Sequence, residues 1–389
     1  MAIARFLRLR FGGPQRRADA AGDFRHVSAA SGEPCGDGRG YRHSAFSKVD
    51  TAMVQGARMP SPLFTAARSQ LIGAVVLAGC VLGQATGAGA EDAVTFNVID
   101  DRGVAVTIPA KVQKVASVSY FAADVALALG LTPVATTYMV EGRHPDFLGG
   151  YLDGVKQIGQ RATPNIELLA EAKPDLTVAI RRYTEGNAAQ YEKVAPYLAY
   201  DLELYADSDR TIAQLATILG QPKRGQEINA AFKSDLEAFA AKAPKDKHPR
   251  FVVMWGGDIP WVFRSENMTA AILVALGGDN IAGQNPTPSV PGNWGMEMSL
   301  ETLLEQDPEV IFVYDYGPDR PQENNPIWQQ LSAVKNARVH YVGDHWVEAH
   351  GPIARQMVLR EAAHLLYPDA FPAIDVKAEA RKFIPASIQ

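Results

Sequence analysis

One short pattern occurs twice in this chain. Asn165-Ile-Glu167 runs into Leu168-Leu169 and then Pro174-Asp175-Leu176; Ser299-Leu-Glu301 runs into Leu303-Leu304 and then Pro308-Glu309-Val310. Glu stands seven residues before Pro in both. Asn and Ser are good helix N-caps, a Glu in the first turn suits the helix dipole, and Pro stops the helix. The apolar run after each Pro reads as a buried strand. A recurring helix–strand unit predicts two lobes of the same build, and 389 residues are enough for two cores.

The surrounding sequence follows the same grammar. In the first half, 115–119, 133–137 and 176–180 read as strands, and 122–129 and 166–172 as helices ending at Gly130 and before Pro174. In the second half, 250–255 and 310–314 read as strands, and 269–276 and 300–305 as helices. Alternation of this kind predicts α/β layers. Between the halves, 207–219 is amphipathic, with Ile212, Leu215, Ala216 and Leu219 on one face. Residues 224–242 form a longer pattern through Ile228, Phe232, Leu236 and Phe239. A helix of ~19 residues spans about 28 Å and bridges two lobes as a rod.

Charge and the N-terminal region bear on location. Of the 38 Lys and Arg residues 27 lie after Ala90, as do 38 of the 43 Asp and Glu, leaving the body at net -11. An acidic body argues against nucleic acid or anionic lipid as partner. Residues 71–82 are the longest uncharged apolar run, preceded by Arg58 and Arg68 and followed by Ala88-Gly89-Ala90. The run is too short to span a bilayer and has the layout of a secretory signal. Residues 53–90 are therefore expected to be a signal peptide, cleaved after Ala90. A second route is open, because Leu77-Ala78-Gly79-Cys80 has the form of a lipobox in which Cys80 becomes the lipidated first residue. Residues 1–52, rich in Arg, Gly and Ala, are expected to be disordered or to precede a true start at Met53 or Met59. Both cysteines, Cys35 and Cys80, precede residue 91, so the body contains no disulfide.

A resemblance covers roughly residues 94–372. Val98-Ile-Asp-Asp-Arg-Gly, Ala122-Ala-Asp-Val-Ala-Leu-Ala-Leu-Gly130, Pro164-Asn-Ile-Glu-Leu-Leu-Ala-Glu-Ala-Lys-Pro-Asp-Leu176, Leu276-Gly-Gly, Ser299-Leu-Glu-Thr-Leu-Leu304, Ala333-Val-Lys-Asn-Ala-Arg-Val339 and Leu366-Tyr-Pro-Asp-Ala-Phe371 occur in this order. Together they are similar to the periplasmic siderophore- and cobalamin-binding proteins of ABC importers. The resemblance implies two Rossmann-like α/β lobes joined by a long rigid helix, with the ligand in the cleft between them. The expected segments are an N-terminal lobe at 94–220, a connecting helix at 221–243, a C-terminal lobe at 248–372 and a tail at 373–389. The resemblance also implies a ferric siderophore or similar large chelate as ligand, no cofactor of the protein's own, and an ABC permease dimer with its ATPase as partner. Glu167 and Glu301, one per lobe, would dock onto Arg residues of that permease.

Ligands of open α/β sheets bind beyond the carboxyl ends of the strands. Those ends carry Ser119-Tyr120, Thr137-Tyr138 and Arg181-Arg182-Tyr183 in the first lobe, and Trp255, Tyr314-Asp315-Tyr316 and His345-Trp346 in the second. Aromatic faces and guanidinium forks suit a large, partly apolar, anionic ligand. Arg182 leads the candidates, since two adjacent arginines after an apolar strand are costly to bury without an anion; Arg181, Tyr138, Trp255 and Tyr316 accompany it. Arg182 stands where catecholate-siderophore binders carry Arg, Trp294 near where relatives place an aromatic or His, and Trp346 resembles a cleft Trp of hydroxamate binders. Where catecholate binders place further Arg and an iron-binding His, this sequence has Met268, Tyr316 and Trp294. A hydroxamate or mixed siderophore is favoured on that ground, with cobalamin and haem as alternatives.

No catalytic residue and no metal site are expected. The chain lacks a Gly-rich phosphate loop, His-Glu-x-x-His and Gly-x-Ser-x-Gly. The one enzyme alternative is a metal-dependent hydrolase built on His345, Glu348 and His350.

Overall fold

The computed structural model describes residues 94–388, Pro291 excepted. The signal peptide, the lipobox at Cys80, the cleavage point at Ala90 and the expectations for residues 1–52 lie outside the described residues.

The first lobe opens on a hairpin, β1 (Thr95–Ile99) with β2 (Ala105–Pro109). Then follow β3 (Val115–Val118), α1 (Tyr120–Ala128), β4 (Ala135–Tyr138), β5 (Lys156–Gln160), β6 (Thr163–Pro164), α2 (Ile166–Glu171), β7 (Leu176–Ile180) and β8 (Tyr197–Tyr200). Sheet order is β6-β5-β4-β3-β7-β8, with every pairing parallel except β5 with β6. The chain winds to one side of β3 through β4 and β5, and to the other through β7 and β8. The carboxyl ends of β3 and β7 therefore flank a topological switch point, where such sheets leave a crevice.

Two helices link the lobes, α3 (Tyr205–Ile218) and α4 (Pro222–Lys242). The second lobe contains β9 (Arg250–Trp255), β10 (Trp261–Phe263), α5 (Met268–Ala275), β11 (Asp279–Asn280), β12 (Gly295–Glu297), α6 (Leu300–Gln306), β13 (Val310–Tyr314) and β14 (Val339–Val342). Its sheet runs β12-β10-β9-β13-β14, with β11 also on β9. The β9-β13-β14 core is parallel.

The sequence repeat has a structural counterpart. The Asn165 side chain accepts from the Glu167 and Leu168 amides at 2.9 and 3.0 Å, and Ser299 Oγ accepts from the Thr302 amide at 3.2 Å. These bonds satisfy amide groups that a helix start otherwise leaves open. α2 and α6 then lead into β7 and β13, all of whose residues are buried. Covered on both faces, such strands read as unbroken apolar runs.

α4 is the rod. Its 21 residues span about 32 Å at 1.5 Å per residue, and Pro222 occupies the first turn, where a missing N–H costs nothing. Only Gly225 and Phe232 are buried along it. A Cβ on Gly225 would lie 2.5 Å from the Ala216 Cβ, so glycine lets α4 approach α3. Phe232 lies under the Arg355 guanidinium at 4.4 Å, and Arg355 also bonds Asp209, Ser208 and Asn229 at 2.7, 3.1 and 2.7 Å. That buried arginine belongs to α7 (Pro352–Leu366), so one side chain ties α3, α4 and α7 together.

The C-terminal segment, expected as a tail, contains α8 (Val376–Arg381) and returns to the first lobe. Arg381 Nε donates to the Gly149 carbonyl at 2.9 Å, while Glu379 pairs with Arg360 of α7 at 3.3 Å.

α7 begins against the first lobe. The Asp124 carboxylate of α1 accepts from the Ile353 and Ala354 amides, both at 2.8 Å, and so caps a helix remote in sequence. A Cβ at Gly351 would fall 2.1 Å from Asp124 Oδ2, which explains a glycine there. Burial pushes the Asp124 carboxyl up to about 7 against the pull of the two amides and Arg355. Replacing Asp124 by Ala leaves two buried amides without acceptors. A loss of about 1–2 kcal/mol is expected, read as an unchanged slope and a lowered midpoint in urea unfolding.

Candidate ligand-binding cleft

The first-lobe wall of the cleft is built from the ends of parallel strands. Tyr138 closes β4, and its carbonyl accepts from the Arg161 amide at 3.2 Å. Arg143 follows β4 and Arg161 follows β5. Arg181, Arg182 and Tyr183 form a single helical turn, Arg181–Thr184, directly after β7. Glu203 follows β8. The opposing wall comes from the second lobe: Trp255 ends β9, Tyr314 ends β13 with Tyr316 beyond it, and the segment from Asp344 to His350 follows β14.

These groups form a continuous strip. Trp255 meets Trp294 edge-on at 6.0 Å, and the Arg182 guanidinium lies 5.3 Å from the Trp294 ring and 4.7 Å from Tyr183. Arg161 covers the same Tyr183 ring at 4.8 Å and reaches across to Glu348 Oε1 at 2.5 Å. Glu348 Oε2 accepts from the Tyr120 amide at 2.7 Å. Arg143 donates to Tyr314 Oη at 2.7 Å and to the Asp315 carbonyl at 2.5 Å, and it pairs with Asp344, which also accepts from Tyr314 Oη at 2.7 Å. Tyr316 packs edge-on against Tyr314 at 4.4 Å.

Burial works against the Arg161 charge, but Tyr183 and Glu348 outweigh it and its pKa is raised. Burial likewise opposes ionisation of Tyr183, yet Arg161 and Arg182 hold its phenol below the ordinary value. A cavity of about 470 Å³ opens beside this strip. Arg181, Arg182 and Trp294 bound it, together with Glu203, Asp201 and the loop from Asn285 to Asn293.

The sequence candidates separate in space. Arg182, Trp294, Trp255 and Tyr316 lie along the strip. Arg181 sits at its rim, paired with Glu185 at 3.0 Å and Asp201 at 3.2 Å, so carboxylates of the chain itself answer the two adjacent arginines. Arg182 is likewise 3.6 Å from Glu203. Trp346 departs from its expected place. It is 0 % exposed, its ring stacks on Phe312 at 4.8 Å and its Nε1 donates to Glu361 at 2.8 Å, which makes it a core residue below the cleft floor. Glu167 and Glu301 are exposed in the first turns of α2 and α6.

The residues named for the hydrolase alternative do not converge. His345 pairs with Glu361, Glu348 with Arg161, and His350 is buried near Arg182. The three side chains are drawn to different partners, and among the described residues no group of three or more His, Cys, Asp and Glu is arranged to hold a metal.

Sequence reasoning missed Arg143, Arg161, Glu203 and Asp344. β5 has one fully buried apolar residue, Ile158, and so carries no strand pattern to mark Arg161 as a strand end. The signal that remained is positional: Gly159-Gln160-Arg161 stands shortly before the first copy of the repeat.

Residues 115–345 match the periplasmic binding protein family. The chain belongs to that family. This periplasmic binding protein is 26% identical over 294 residues to the Fe(3+)-citrate-binding protein YfmC of Bacillus subtilis, covering 72% of this chain and 90% of that one. It is 24% identical over 278 residues to the probable siderophore-binding lipoprotein YfiY of the same organism, covering 66% and 83%. Among solved structures it resembles the triscatecholate siderophore-binding protein FeuA from Bacillus subtilis, with a TM-score of 0.58 at 21% identity over 71% of this chain and 99% of that one. That likeness establishes the two-lobed fold.

His350 makes the cleft sensitive to acid. Burial, then the nearby Arg182 charge, lowers its pKa from the usual 6.5 to about 3. The unfolded chain takes up a proton as pH falls below 6.5, whereas the folded one refuses it until about 3. Stability contributed by neutral His350 is thus complete above 6.5 and lost across that window. A His350→Leu variant is expected to show a shallower fall of thermal midpoint between pH 6.5 and 4 than the parent protein.

Proposed function

We propose that this protein is the solute receptor of an ABC importer and carries a ferric siderophore of hydroxamate or mixed type across the space outside the cytoplasmic membrane. Its relatives are substrate-binding transport proteins, periplasmic or lipid-anchored, so the receptor is either freed by cleavage after Ala90 or anchored through Cys80. The observation that carries the reading is the strip of alternating rings and guanidinium groups at the meeting of the two lobes, Trp255–Trp294–Arg182–Tyr183–Arg161. Broad rings cover the faces of a chelate, and N–H forks hold its oxygens. Cobalamin and haem are the alternatives; one relative at 23% identity is a haem uptake protein of Staphylococcus aureus.

Arg182, Arg181, Trp294, Trp255, Tyr138 and Tyr316 are assigned to ligand contact. Trp346 is left out because its ring and indole N–H are occupied within the core. A ferric hydroxamate is expected to quench Trp emission saturably, since Trp294 and Trp255 would lie against a light-absorbing centre. Arg182→Ala is expected to weaken binding by about 1.5–3 kcal/mol. Failure of ferric hydroxamates, mixed siderophores, haem and cobalamin alike to bind would overturn the assignment.

The permease dimer and its ATPase are the proposed partners, met through Glu167 and Glu301. Exposed carboxylates in equivalent positions of two similar lobes suit a two-fold partner, and such charges steer association more than they add affinity. Glu167→Arg with Glu301→Arg is expected to leave folding and ligand affinity near the parent values and to abolish uptake of labelled ligand by cells. Uptake at the parent rate would reduce both residues to ordinary helix-start carboxylates.

A further inference from the structure

The guanidinium groups of the cleft are neutralised from within. Arg143 pairs with Asp344, Arg161 with Glu348 and Arg182 with Glu203. The first two pairs cross between the lobes and the third joins neighbouring strand ends of the first lobe. Three positive groups thus face three negative ones, and a polyanion entering the cleft would find each of these three guanidinium groups already paired. It would have to displace a carboxylate that is itself half or fully buried, and a buried charge stripped of its partner is strongly unfavourable.

The open space beside the strip leans further in the same direction. Two guanidinium groups, Arg181 and Arg182, line the 470 Å³ cavity, and four carboxylates do: Glu185, Asp201, Glu203 and Asp207. Burial, together with the neighbouring acids, raises the Asp201 and Glu203 carboxyls above their ordinary range even with Arg181 and Arg182 beside them. The arginines therefore do not fully compensate this wall.

Donors without acceptors remain along the strip. Trp255 Nε1 is buried with no hydrogen-bond partner in a residue 5 % exposed, and Arg182 Nε is buried and unpartnered as well. Such donors are satisfied by acceptor oxygens of a chelate that is neutral overall, amide carbonyls or iron-bound hydroxamates, which bring no net charge into an acidic cavity.

We propose that the cleft selects ferric chelates of neutral or positive overall charge against polyanionic ones, with Glu203 setting the preference by occupying Arg182. This rests on the chelate reading above and adds the charge class to it. Arg182 then holds ligand oxygens as a hydrogen-bond donor inside a neutral pair rather than as a free cation.

The test is a ladder of charge at fixed iron coordination. A linear ferric trihydroxamate bearing a terminal ammonium, its N-acetylated neutral form and its N-succinylated anionic form are titrated by Trp quenching, with a ferric tris-catecholate as the far end. The ammonium and acetyl forms are expected to bind at least about tenfold more tightly than the succinyl form at low salt, and the tris-catecholate most weakly. The gap should narrow at high salt, where the Debye length falls to about 3 Å at 1 M. Glu203→Gln, which frees Arg182, is expected to shift the ratio of succinyl to acetyl affinity about tenfold toward the succinyl form. Asp201→Asn gives a second reading of the same wall should the first variant fold poorly. A succinyl or tris-catecholate complex as tight as the acetyl one in the parent protein overturns the charge preference and leaves the chelate reading standing. Failure of every member of the ladder to bind overturns both.

Discussion

Charge buried between two lobes has to be matched across the gap, and the segment from Asp344 to Arg355 is where this protein does so. Asp344 takes Arg143, Glu348 takes Arg161 and the Tyr120 amide, the first amides of α7 take Asp124, and Arg355 takes Asp209. Each partner but the last lies in the first lobe, and Asp209 lies in the linking helix α3. Of these, Arg161 and Glu348 are both buried, and either one stripped of the other would leave an uncompensated charge at a cost of about 3–5 kcal/mol. These pairs tie the two lobes together across the gap. The apolar clusters themselves fall largely within one lobe or the other.

This arrangement limits how the cleft moves. α4 is a single helix with no internal proline, and Arg355 pins it to α3 and α7 together. α8 adds a second tie, since it bonds α7 through Glu379 and the first lobe through Arg381. Opening the cleft would also have to separate Arg143–Asp344 and Arg161–Glu348, which cross the gap.

The fold was legible where the chemistry is local. Helix starts announced themselves through Asn165 and Ser299, the buried strands through the unbroken runs 176–180 and 310–314, and the rod through the spacing of Ile228, Phe232 and Phe239. β5 and α8 were illegible for physical reasons. β5 is half-exposed with one fully buried apolar side chain, and α8 is a six-residue helix whose burial depends on a lobe distant in sequence. The cleft was legible by residue type and position, as far as strand ends carrying Arg, Tyr and Trp. What sequence could not show is pairing. Arg161 and Glu348 are remote along the chain, and no local pattern marks a guanidinium as neutralised. Trp346 fails for the related reason that periodicity places a ring at a strand end without saying whether it turns toward the cleft or, as here, under Phe312.

The repeat joins the two proposed roles mechanically. In the first lobe Glu167 starts α2, α2 runs into β7, and β7 delivers Arg182 to the cleft; in the second lobe Glu301 starts α6, α6 runs into β13, and β13 delivers Tyr316. Each unit is a short capped helix and a fully buried strand, joined by a turn that contains a proline. Such a unit has little freedom of its own, because its strand is locked by parallel pairing on both sides, β3 and β8 for β7, β9 and β14 for β13. A force applied at the proposed docking carboxylate of either lobe would pass to that lobe's proposed ligand-facing residue without being absorbed by a flexible loop.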